Sequence, residues 1–348
     1  MNEILITGVL MNNSIRKINI LIDKTIGEFI FFILKFFYWN NKKTNINEVR
    51  HILLIRPGGI GDFLLNIPTF KRLRKMYPHA KITLLLFKRN KHCIELYSDF
   101  DSIRIIDEPL EFIWYLIEKK DYDLCIDFDQ HRKIPSIIAM LSNARVRIGF
   151  RNNGKEAAYN YPINYYKGRY EAQSFLDLLR PLGSLTKLSE KELYLIDSHS
   201  NTNRRTNRVG IYAAAMKLEN RFPLKAWRDI IKKLGKNNIY YFIGSKEDKA
   251  RYDALENELG NEFKIIRIDG KTSLKECFEV LQTLDLCLAE DGGIYHLAVC
   301  AGIPTVFCCY SDTLRTRNGN SHISKWKAPF RQHKEYKIKM KETTIKRV

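Results

Sequence analysis

The chain lacks the cysteine spacing of a zinc site and the loop of a P-loop nucleotide-binding protein. Its seven cysteines include no Cys-x-x-Cys pair, and most lie inside apolar runs, which is typical of reduced core residues rather than metal ligands. The glycine-rich turn at residues 56–62 is not followed by Gly-Lys-Ser/Thr and lacks the full dinucleotide fingerprint. This turn is therefore neither a Walker loop nor a standard dinucleotide site.

Acidic residues are too few to balance the basic ones. The sequence has 39 Asp and Glu against 58 Lys and Arg, a formal net charge of +19. Such a surface attracts the phosphates of nucleic acid, anionic lipid or a phosphorylated substrate, and the sign alone does not choose among them. A nucleic-acid-binding protein would gather its basic residues in one groove with aromatics for stacking. No such module is found, so nucleic acid is not expected as a partner.

A membrane-spanning segment is also missing, although Ile18–Trp39 is strongly apolar. Asp23, Lys24, Glu28 and Lys35 interrupt the stretch and no small-residue cleavage site follows it, which argues against a spanning helix and a signal peptide. The pattern favours an amphipathic helix lying in the membrane interface. The alternative is a helix packed on the first domain. Basic residues flank the apolar side at Arg16, Lys17, Lys35, Lys42 and Lys43.

The remaining chain predicts two α/β domains. From His51 onward short apolar runs alternate with helical patterns, which is typical of parallel strands joined by crossover helices. The alternation stops at the polar segment Ser198–Asn207 and then restarts. At 348 residues and 45% apolar content, the chain is long enough for two cores. The predicted parts are an N-terminal helical segment (1–50), two α/β domains (51–200 and 208–325) and a basic tail (326–348), either solvated or attracted to an anionic leaflet.

The first glycine-rich turn follows a strand and opens a helix. Gly58, Gly59 and Gly61 let the backbone approach another molecule closely. Asp62 falls in the first helical turn, where the helix dipole favours its ionised form. An ionised carboxylate there is a candidate general base, and it is equally a candidate helix cap.

A second glycine-rich turn, Glu290–His296, has the same setting and more polar side chains. Asp291 ends a strand, and Gly292 and Gly293 leave backbone N–H groups open at a helix start. His296 lies one turn into the helix. Alone it would more often be a packed residue, but beside Asp291 and the glycines it is a candidate ligand for a phosphate or a ribose.

These residues resemble a known family. The run R-P-G-G-I-G-D-F-L-L-N-I-P from Arg56, the segments Y-D-L-C-I-D-F (122–128) and R-V-R-I-G-F (145–150), and E-D-G-G-I-Y-H-L-A-V-C-A-G-I-P from Glu290 look like glycosyltransferase family 9, the bacterial ADP-heptose:lipopolysaccharide heptosyltransferases. The resemblance covers residues 51–312. It implies an α/β fold of the GT-B type: two Rossmann-like, doubly wound domains facing a central cleft, with the acceptor half first and the donor half second.

The resemblance also implies a metal-independent, inverting transfer and a set of site residues. Asp62 would take the proton from the acceptor hydroxyl. Thr272 falls where the family lines the base pocket, and Glu247 falls near the acidic residue that binds the ribose, although Asp248 could take that part. The donor sugar nucleotide would be held by the second turn, through Asp291, Gly292, Gly293 and His296.

Two positions depart from the family pattern. Asn220 stands where the family usually has a lysine that neutralises the diphosphate leaving group. Lys217 or Arg221 could reach the diphosphate instead, because a leaving group that gains negative charge needs a nearby cation. Gly292 stands where the family commonly has serine or threonine, which removes a hydroxyl donor.

The sequence therefore predicts a cytoplasmic glycosyltransferase, peripheral on the inner face of the bacterial inner membrane. Its expected donor is ADP-heptose, used as substrate, and its expected acceptor is a lipopolysaccharide core or another lipid-linked glycan. No cofactor and no metal are expected. The alternatives are a UDP- or GDP-sugar donor and a catalytically silent family member that acts as a binding subunit.

Overall fold

The chain forms two compact units, each described here on its own. The computed structural model describes residues 23–38, 46, 48–106, 111, 115, 121–184, 187–195, 207–215, 220–310, 333–338 and 346–347. The first unit comprises Met1–Tyr166 and Ala172–Leu188, and the second comprises Lys167–Glu171 and Ser189–Val348.

The first unit is built on a parallel sheet with helices between its strands. Its strands β1–β6 span His51–Ile55, Lys81–Leu86, Ser102–Ile105, Leu124–Asp127, Val146–Arg151 and Tyr161–Asn164. The sheet order is β3-β2-β1-β4-β5-β6, with every pair parallel. Central strands are buried apolar runs, as expected where helices cover both faces. Helices α1–α5 span Glu28–Tyr38, Ile60–Leu64, Ile67–Met76, Lys133–Leu141 and Glu171–Asp177, of which α5 begins at the unit boundary.

The second unit repeats this plan. Its strands β7–β13 span Arg208–Tyr212, Ile239–Phe242, Lys264–Arg267, Leu286–Ala289, Thr305–Tyr310, His333–Ile338 and Lys346–Arg347. The sheet order is β13-β12-β11-β10-β7-β8-β9, and only the β12–β13 pair is antiparallel among these strands. Helices α6–α10 span Glu190–Leu193, Leu224–Leu234, Lys249–Leu259, Leu274–Gln282 and Gly293–Cys300.

Both units are doubly wound α/β structures, as the alternating pattern predicts. Each sheet changes direction from its first strand, β1 in one unit and β7 in the other, and the carboxyl ends of the strands next to that point are where such folds bind ligands. The two glycine-rich turns follow β1 and β10. The fold therefore places each turn at a carboxyl edge of its own sheet.

The division between the units comes earlier in the chain than the predicted linker Ser198–Asn207, most of which lies outside the described residues. Residues from Ser189 onward belong to the second unit. Helix α6 lies in this stretch, and the Leu195 N–H donates to the Cys300 carbonyl at 3.0 Å. Residues 189–195 therefore belong to the second unit, whereas the sequence predicted them at the end of the first domain, just before the linker.

Two further segments can be compared with the sequence pattern. Residues 61–77 have a helical pattern in which Pro68 predicts a helix start or a kink. They lie in α2 and α3, and Pro68 is the second residue of α3, which confirms the helix start. The C-terminal segment 326–348 is more than a solvated tail, because β12 and β13 add to the second sheet. A strand such as HKEYKI has too few apolar residues to be recognised from its pattern.

Helix α1 is partly packed on the first unit and partly exposed. Phe31 is only 3% exposed and belongs to the core with Ile137 and Ile138. Leu34 packs against the same core and is half-buried. Most other apolar side chains of the helix are exposed, among them Phe36 at 68% and Phe37 at 80% exposure. The packed alternative is therefore correct for one face. None of the helices in the described part of the chain is both long and apolar enough to cross a bilayer.

Candidate functional site

Asp62 closes the first turn. Its Oδ1 lies 2.8 Å from Nη2 of Arg56, and its Oδ2 accepts the Gly59 N–H at 2.8 Å. A Cβ on Gly58 would lie 2.4 Å from the Asp62 Cβ, so the glycine is needed for the carboxylate to sit there. The Asp62 side chain is still 31% exposed. The carboxylate thus caps the helix and also presents itself to solvent.

The surroundings of Asp62 keep it ionised. Burial alone would raise its pKa, but the Arg56 guanidinium, the Gly59 N–H and the Arg89 guanidinium outweigh burial and lower the pKa below the ordinary value of 3.8. At neutral pH the residue is a carboxylate able to accept a proton. The function of general base proposed for Asp62 needs this charge state.

Two arginines that sequence reasoning missed hold the turn from elsewhere in the unit. Arg89 donates to the carbonyls of Gly58 at 2.9 Å and Pro57 at 2.8 Å, and Arg132 donates to Pro57 at 3.4 Å. Burial, reinforced by the nearby Arg132 charge, lowers the pKa of Arg89 to about 10. No local motif marks these residues, because they reach the turn only through the pairing of β1 with β2 and β4.

A buried charged group lies behind the turn, at the end of β4. Lys155 and Asp127 are both fully buried, with Lys155 Nζ 3.1 Å from Asp127 Oδ2. Asp129 accepts the N–H groups of His131 and Arg132 at 2.8 and 2.7 Å. Burial would raise the pKa of Asp129, but the charges of Lys155 and Arg132 lower it to about 2.

The second turn leaves its helix start open. Gly292 is the N-terminal residue before α10, with no side-chain cap on the helix. Because the first N–H groups of a helix have no partner within it, they are available to an anion. Asn220 Nδ2 donates to Asp291 Oδ2 at 3.1 Å. His296 is buried in α10 with its ring centroid 5.1 Å from that of Tyr295; its contact with a donor stays a prediction.

Glu290, the first residue of this turn, is buried and accepts several hydrogen bonds that the sequence did not reveal. Its Oε1 accepts the Phe222 N–H at 2.8 Å and the Trp227 Nε1–H at 2.7 Å, and its Oε2 accepts the Ala215 N–H at 2.8 Å. Arg251 Nη2 lies 3.5 Å from Oε1. Burial raises the pKa of Glu290 although these donors and Arg251 oppose the rise. The carboxylate therefore links Ala215 to Phe222 and Trp227 through hydrogen bonds.

Of the two predicted diphosphate cations, Arg221 lies in this described part of the second unit. Arg221 donates from Nε to the Ala215 carbonyl at 2.7 Å, and its Nη2 lies 3.5 Å from Asp248 Oδ1. Its side chain is partly exposed. Lys217 lies outside the described residues. The structure thus brings Asn220, Arg221 and Asp291 to one edge of the second sheet.

The predicted ribose contact, Glu247 or Asp248, and the predicted base contact, Thr272, follow Arg221 along the chain. Asp248 accepts the N–H and the hydroxyl of Ser245 at 2.9 and 2.7 Å, so its carboxylate is largely occupied. Glu247 is exposed, and Thr272 is half-buried next to Ser273, which caps α9. Glu247 is therefore the freer of the two acidic candidates.

Metal and cysteine chemistry receive little support from the structure. Within the described residues, no group of three or more His, Cys, Asp and Glu side chains is placed to hold a metal ion. Six of the seven cysteines are buried and form no disulfide within the described residues, which confirms their prediction as core residues: Cys93, Cys125, Cys277, Cys287, Cys300 and Cys308. The side chain of the seventh, Cys309, lies outside the description.

Comparison with known proteins gives concordant matches. The model of glycosyltransferase family 9 (heptosyltransferase) matches residues 113–346. The lipopolysaccharide core heptosyltransferase OpsX of Haemophilus influenzae is 20% identical over 292 residues, covering 78% of this chain and 82% of OpsX. The crystal structure of the glycosyl transferase family 9 protein of Veillonella parvula has a TM-score of 0.68 at 18% identity, covering 86% of this chain and 88% of that one.

A second similar structure is that of a heptosyltransferase with a donor analogue. The E. coli heptosyltransferase WaaC with ADP-2-deoxy-2-fluoro heptose has a TM-score of 0.61 at 14% identity, covering 82% of this chain and 92% of WaaC. At such identities the likeness concerns the fold. It confirms the predicted class, two Rossmann-like domains of the GT-B type; the cleft between them stays a prediction.

Proposed function

The chain belongs to glycosyltransferase family 9, and on that premise we propose that it transfers heptose from ADP-heptose to a lipopolysaccharide core or another lipid-linked glycan. The observation that carries the proposal is the uncapped start of α10, where Gly292 and Gly293 present backbone N–H groups beside Asp291. This arrangement suits the diphosphate and sugar of a nucleotide sugar. Relatives described as lipopolysaccharide heptosyltransferases support the donor and the acceptor.

The proposed mechanism is a direct, inverting displacement without a metal. Asp62 takes the proton of the acceptor hydroxyl as that oxygen attacks the anomeric carbon, and the bond from that carbon to the nucleoside diphosphate breaks. The charge left on the diphosphate is stabilised by the N–H groups of the second turn and by Arg221 or Lys217. Asn220 has no charge with which to neutralise the diphosphate. It instead positions the Asp291 carboxylate through a hydrogen bond.

The donor is tested by titrating the full-length protein with ADP-heptose, UDP-sugars and GDP-sugars while following its melting temperature. A ligand that binds only the folded protein at about 100 times its Kd adds about 2.7 kcal/mol of stability. We expect this from ADP-heptose and ADP. A shift with only UDP- or GDP-sugars would replace the donor. A shift without sugar transfer to lipopolysaccharide core acceptors would indicate a silent binding subunit.

We also propose that α1 holds the enzyme on the inner face of the bacterial inner membrane. Its outer face carries Phe29, Phe36 and Phe37, all exposed, while Phe31 fixes the opposite face to the unit. An apolar face of this size on a helix is typical of insertion into the interface of a bilayer. The net charge of +19 matches an anionic leaflet.

The membrane proposal is tested with vesicles of equal parts phosphatidylglycerol and phosphatidylcholine. Phe36→Ser together with Phe37→Ser should weaken vesicle binding more than tenfold, since burial of one such side chain is worth about 1.5–3 kcal/mol. Tyr166→Ser is the matched control, because it removes an exposed aromatic from the same unit. Equal vesicle binding by the double variant and the wild type would contradict the membrane proposal.

A further inference from the structure

Tyr212 lies against the second turn, although neither residue type nor position marks it in the sequence. It ends β7, and the parallel pairing of β7 with β10 sets it beside Ala289, three residues before Gly292. A Cβ built on Gly292 would lie 2.5 Å from the Tyr212 hydroxyl oxygen and 2.8 Å from its Cε1. Any side chain at residue 292 would therefore collide with the phenol.

Space, rather than backbone conformation, is what requires glycine at residue 292. Its φ of 169° and ψ of 179° are extended values that any residue adopts. A residue before a helix usually caps it with a side-chain oxygen. Here that side chain is missing and the Tyr212 hydroxyl stands next to the place it would occupy. The phenol and the glycine form a sterically matched pair.

The Tyr212 hydroxyl is also unused within the protein as described. Tyr212 is 8% exposed, and no hydrogen bond joins its hydroxyl to another described residue. A largely buried phenol beside an open helix start, with no partner among the described residues, is placed to donate to a ligand. Burial raises the pKa of Tyr212, and the nearby Asp248, Glu290 and Asp291 raise it further. The phenol therefore keeps its proton and is a donor.

We propose that the Tyr212 hydroxyl donates a hydrogen bond to a phosphate oxygen of the bound nucleoside diphosphate at the start of α10. This inference rests on the proposed function, because it names one further residue of the same donor site. It also accounts for the departure at Gly292, since the hydroxyl that serine or threonine would bring is supplied from the neighbouring strand.

The test is isothermal titration of Tyr212→Phe with ADP and with adenosine. We expect ADP to bind about 10- to 100-fold more weakly than to the wild type, because a hydrogen bond to a charged group is lost. Adenosine, which has no phosphate, should bind both proteins equally. Tyr241→Phe is the matched control: this tyrosine lies in β8 of the same unit and pairs with Gly210 rather than with the second turn, and its variant should bind ADP like the wild type.

Each outcome of the titration decides something. If the wild type binds neither ADP nor UDP nor GDP, the proposed function fails, and the inference falls with it. If it binds UDP or GDP instead, that nucleotide and its nucleoside replace the adenine pair. An unchanged Kd for the nucleoside diphosphate in Tyr212→Phe overturns the inference alone. Equal losses for the nucleotide and its nucleoside also overturn it, because they indicate a structural role.

The steric pairing has a separate test. Gly292→Ser should lower the melting temperature and weaken ADP binding, because its Cβ meets the phenol. Tyr212→Leu removes the obstruction and the hydroxyl together, and Tyr212→Leu combined with Gly292→Ser should recover part of the ADP affinity lost in Tyr212→Leu. A Gly292→Ser variant with wild-type melting temperature and affinity would contradict the pairing.

Discussion

At the scale of single residues, Asp62 combines a structural contact with an exposed charge. Asp62→Asn keeps a side chain that can accept the Gly59 N–H but cannot take a proton. We expect kcat for sugar transfer to fall about 10²- to 10⁴-fold while the Kd of ADP stays unchanged, because the proposed donor residues lie in the other unit. Asp121→Asn, at an almost fully exposed aspartate of the same unit, is the control. Wild-type turnover by Asp62→Asn would remove this residue from the mechanism.

The charge of Asp62 also sets a pH dependence. Its pKa lies below 3.8 in the folded protein, so the base stays deprotonated through mildly acidic pH. We expect kcat/KM to show no loss from Asp62 between about pH 5 and pH 7. For stability, a lowered folded pKa adds free energy of unfolding that is present above the unfolded pKa and is lost as pH falls through the folded value. An acid limb near pH 6 that disappears in Asp62→Asn would contradict this assignment.

Replacing Glu290 with the neutral glutamine should show how much its buried hydrogen bonds contribute to stability. In Glu290→Gln an amide N–H₂ replaces one of the oxygens that accept the N–H groups of Ala215, Phe222 or Trp227. A buried donor without an acceptor costs about 1–3 kcal/mol, and we expect that decrease in the free energy of unfolding by urea. The same change should weaken ADP binding, because Ala215 and Phe222 share this acceptor and Arg221 lies next to Phe222 in the chain.

The control for this change is Glu262→Gln. Glu262 Oε2 lies 2.6 Å from Lys236 Nζ on the surface, and exposed ion pairs contribute little to stability. If both variants lose equal stability, or if Glu290→Gln leaves ADP binding unaltered, Glu290 does not organise this edge of the sheet.

At the scale of elements, the predictable parts are those whose cause is local. Apolar runs and glycine-rich turns predict β1, β2, β4 and β10 and the helix starts after them, because the pattern and the turn chemistry lie within a few residues. Pro68 marks the start of α3, whereas the end of α2 at Leu64 is harder to predict because the helical pattern continues through it. The strand β12 is harder still, because its sequence is polar and its pairing with β11 and β13 depends on distant parts of the chain.

The parts of the site that sequence reasoning missed depend on pairing between distant strands. Glu290 meets Ala215 because β7 and β10 are neighbours, and the same pairing brings Tyr212 to Gly292. No spacing along the chain encodes these contacts. The family pattern marks Gly292 as a lost hydroxyl, whereas the packing of the unit supplies a hydroxyl from Tyr212.

Helix α1 is tied to its unit by a cap that comes from a distant part of the chain. Asp23 is buried, and its carboxylate accepts the N–H groups of Lys133 at 3.0 Å and Ile134 at 2.9 Å, at the start of α4. Asp23→Ala should lower the free energy of unfolding by about 1–2 kcal/mol, as expected for a lost helix cap. It should also speed cleavage of α1 by a protease.

Asp23→Asn is the matched variant for this prediction, because asparagine caps helices as well as aspartate does. It should retain most of the stability and protease resistance of the wild type. Equal losses in the two variants would mean that the charge, rather than the cap, holds the segment.

At the scale of the whole molecule, the proposed chemistry is divided between the units. Asp62 and helix α1, for which we propose membrane binding, belong to the first, and the described residues of the proposed donor site belong to the second. Loss of donor affinity and loss of transfer should therefore be separable by mutation. The first unit has the proposed roles toward the acceptor and the bilayer, which suits an acceptor carried by lipid.

The two contributions to membrane binding, charge and apolar insertion, should respond differently to salt. In about 0.1 M salt the Debye length is about 10 Å, and in about 1 M salt it is about 3 Å. Raising the salt should therefore remove most of the attraction between the net charge of +19 and phosphatidylglycerol vesicles. A residual binding should remain in high salt, and Phe36→Ser with Phe37→Ser should abolish it. Vesicle sedimentation measures both parts, and binding that vanishes completely with salt in the wild type would show that the aromatic face of α1 does not insert.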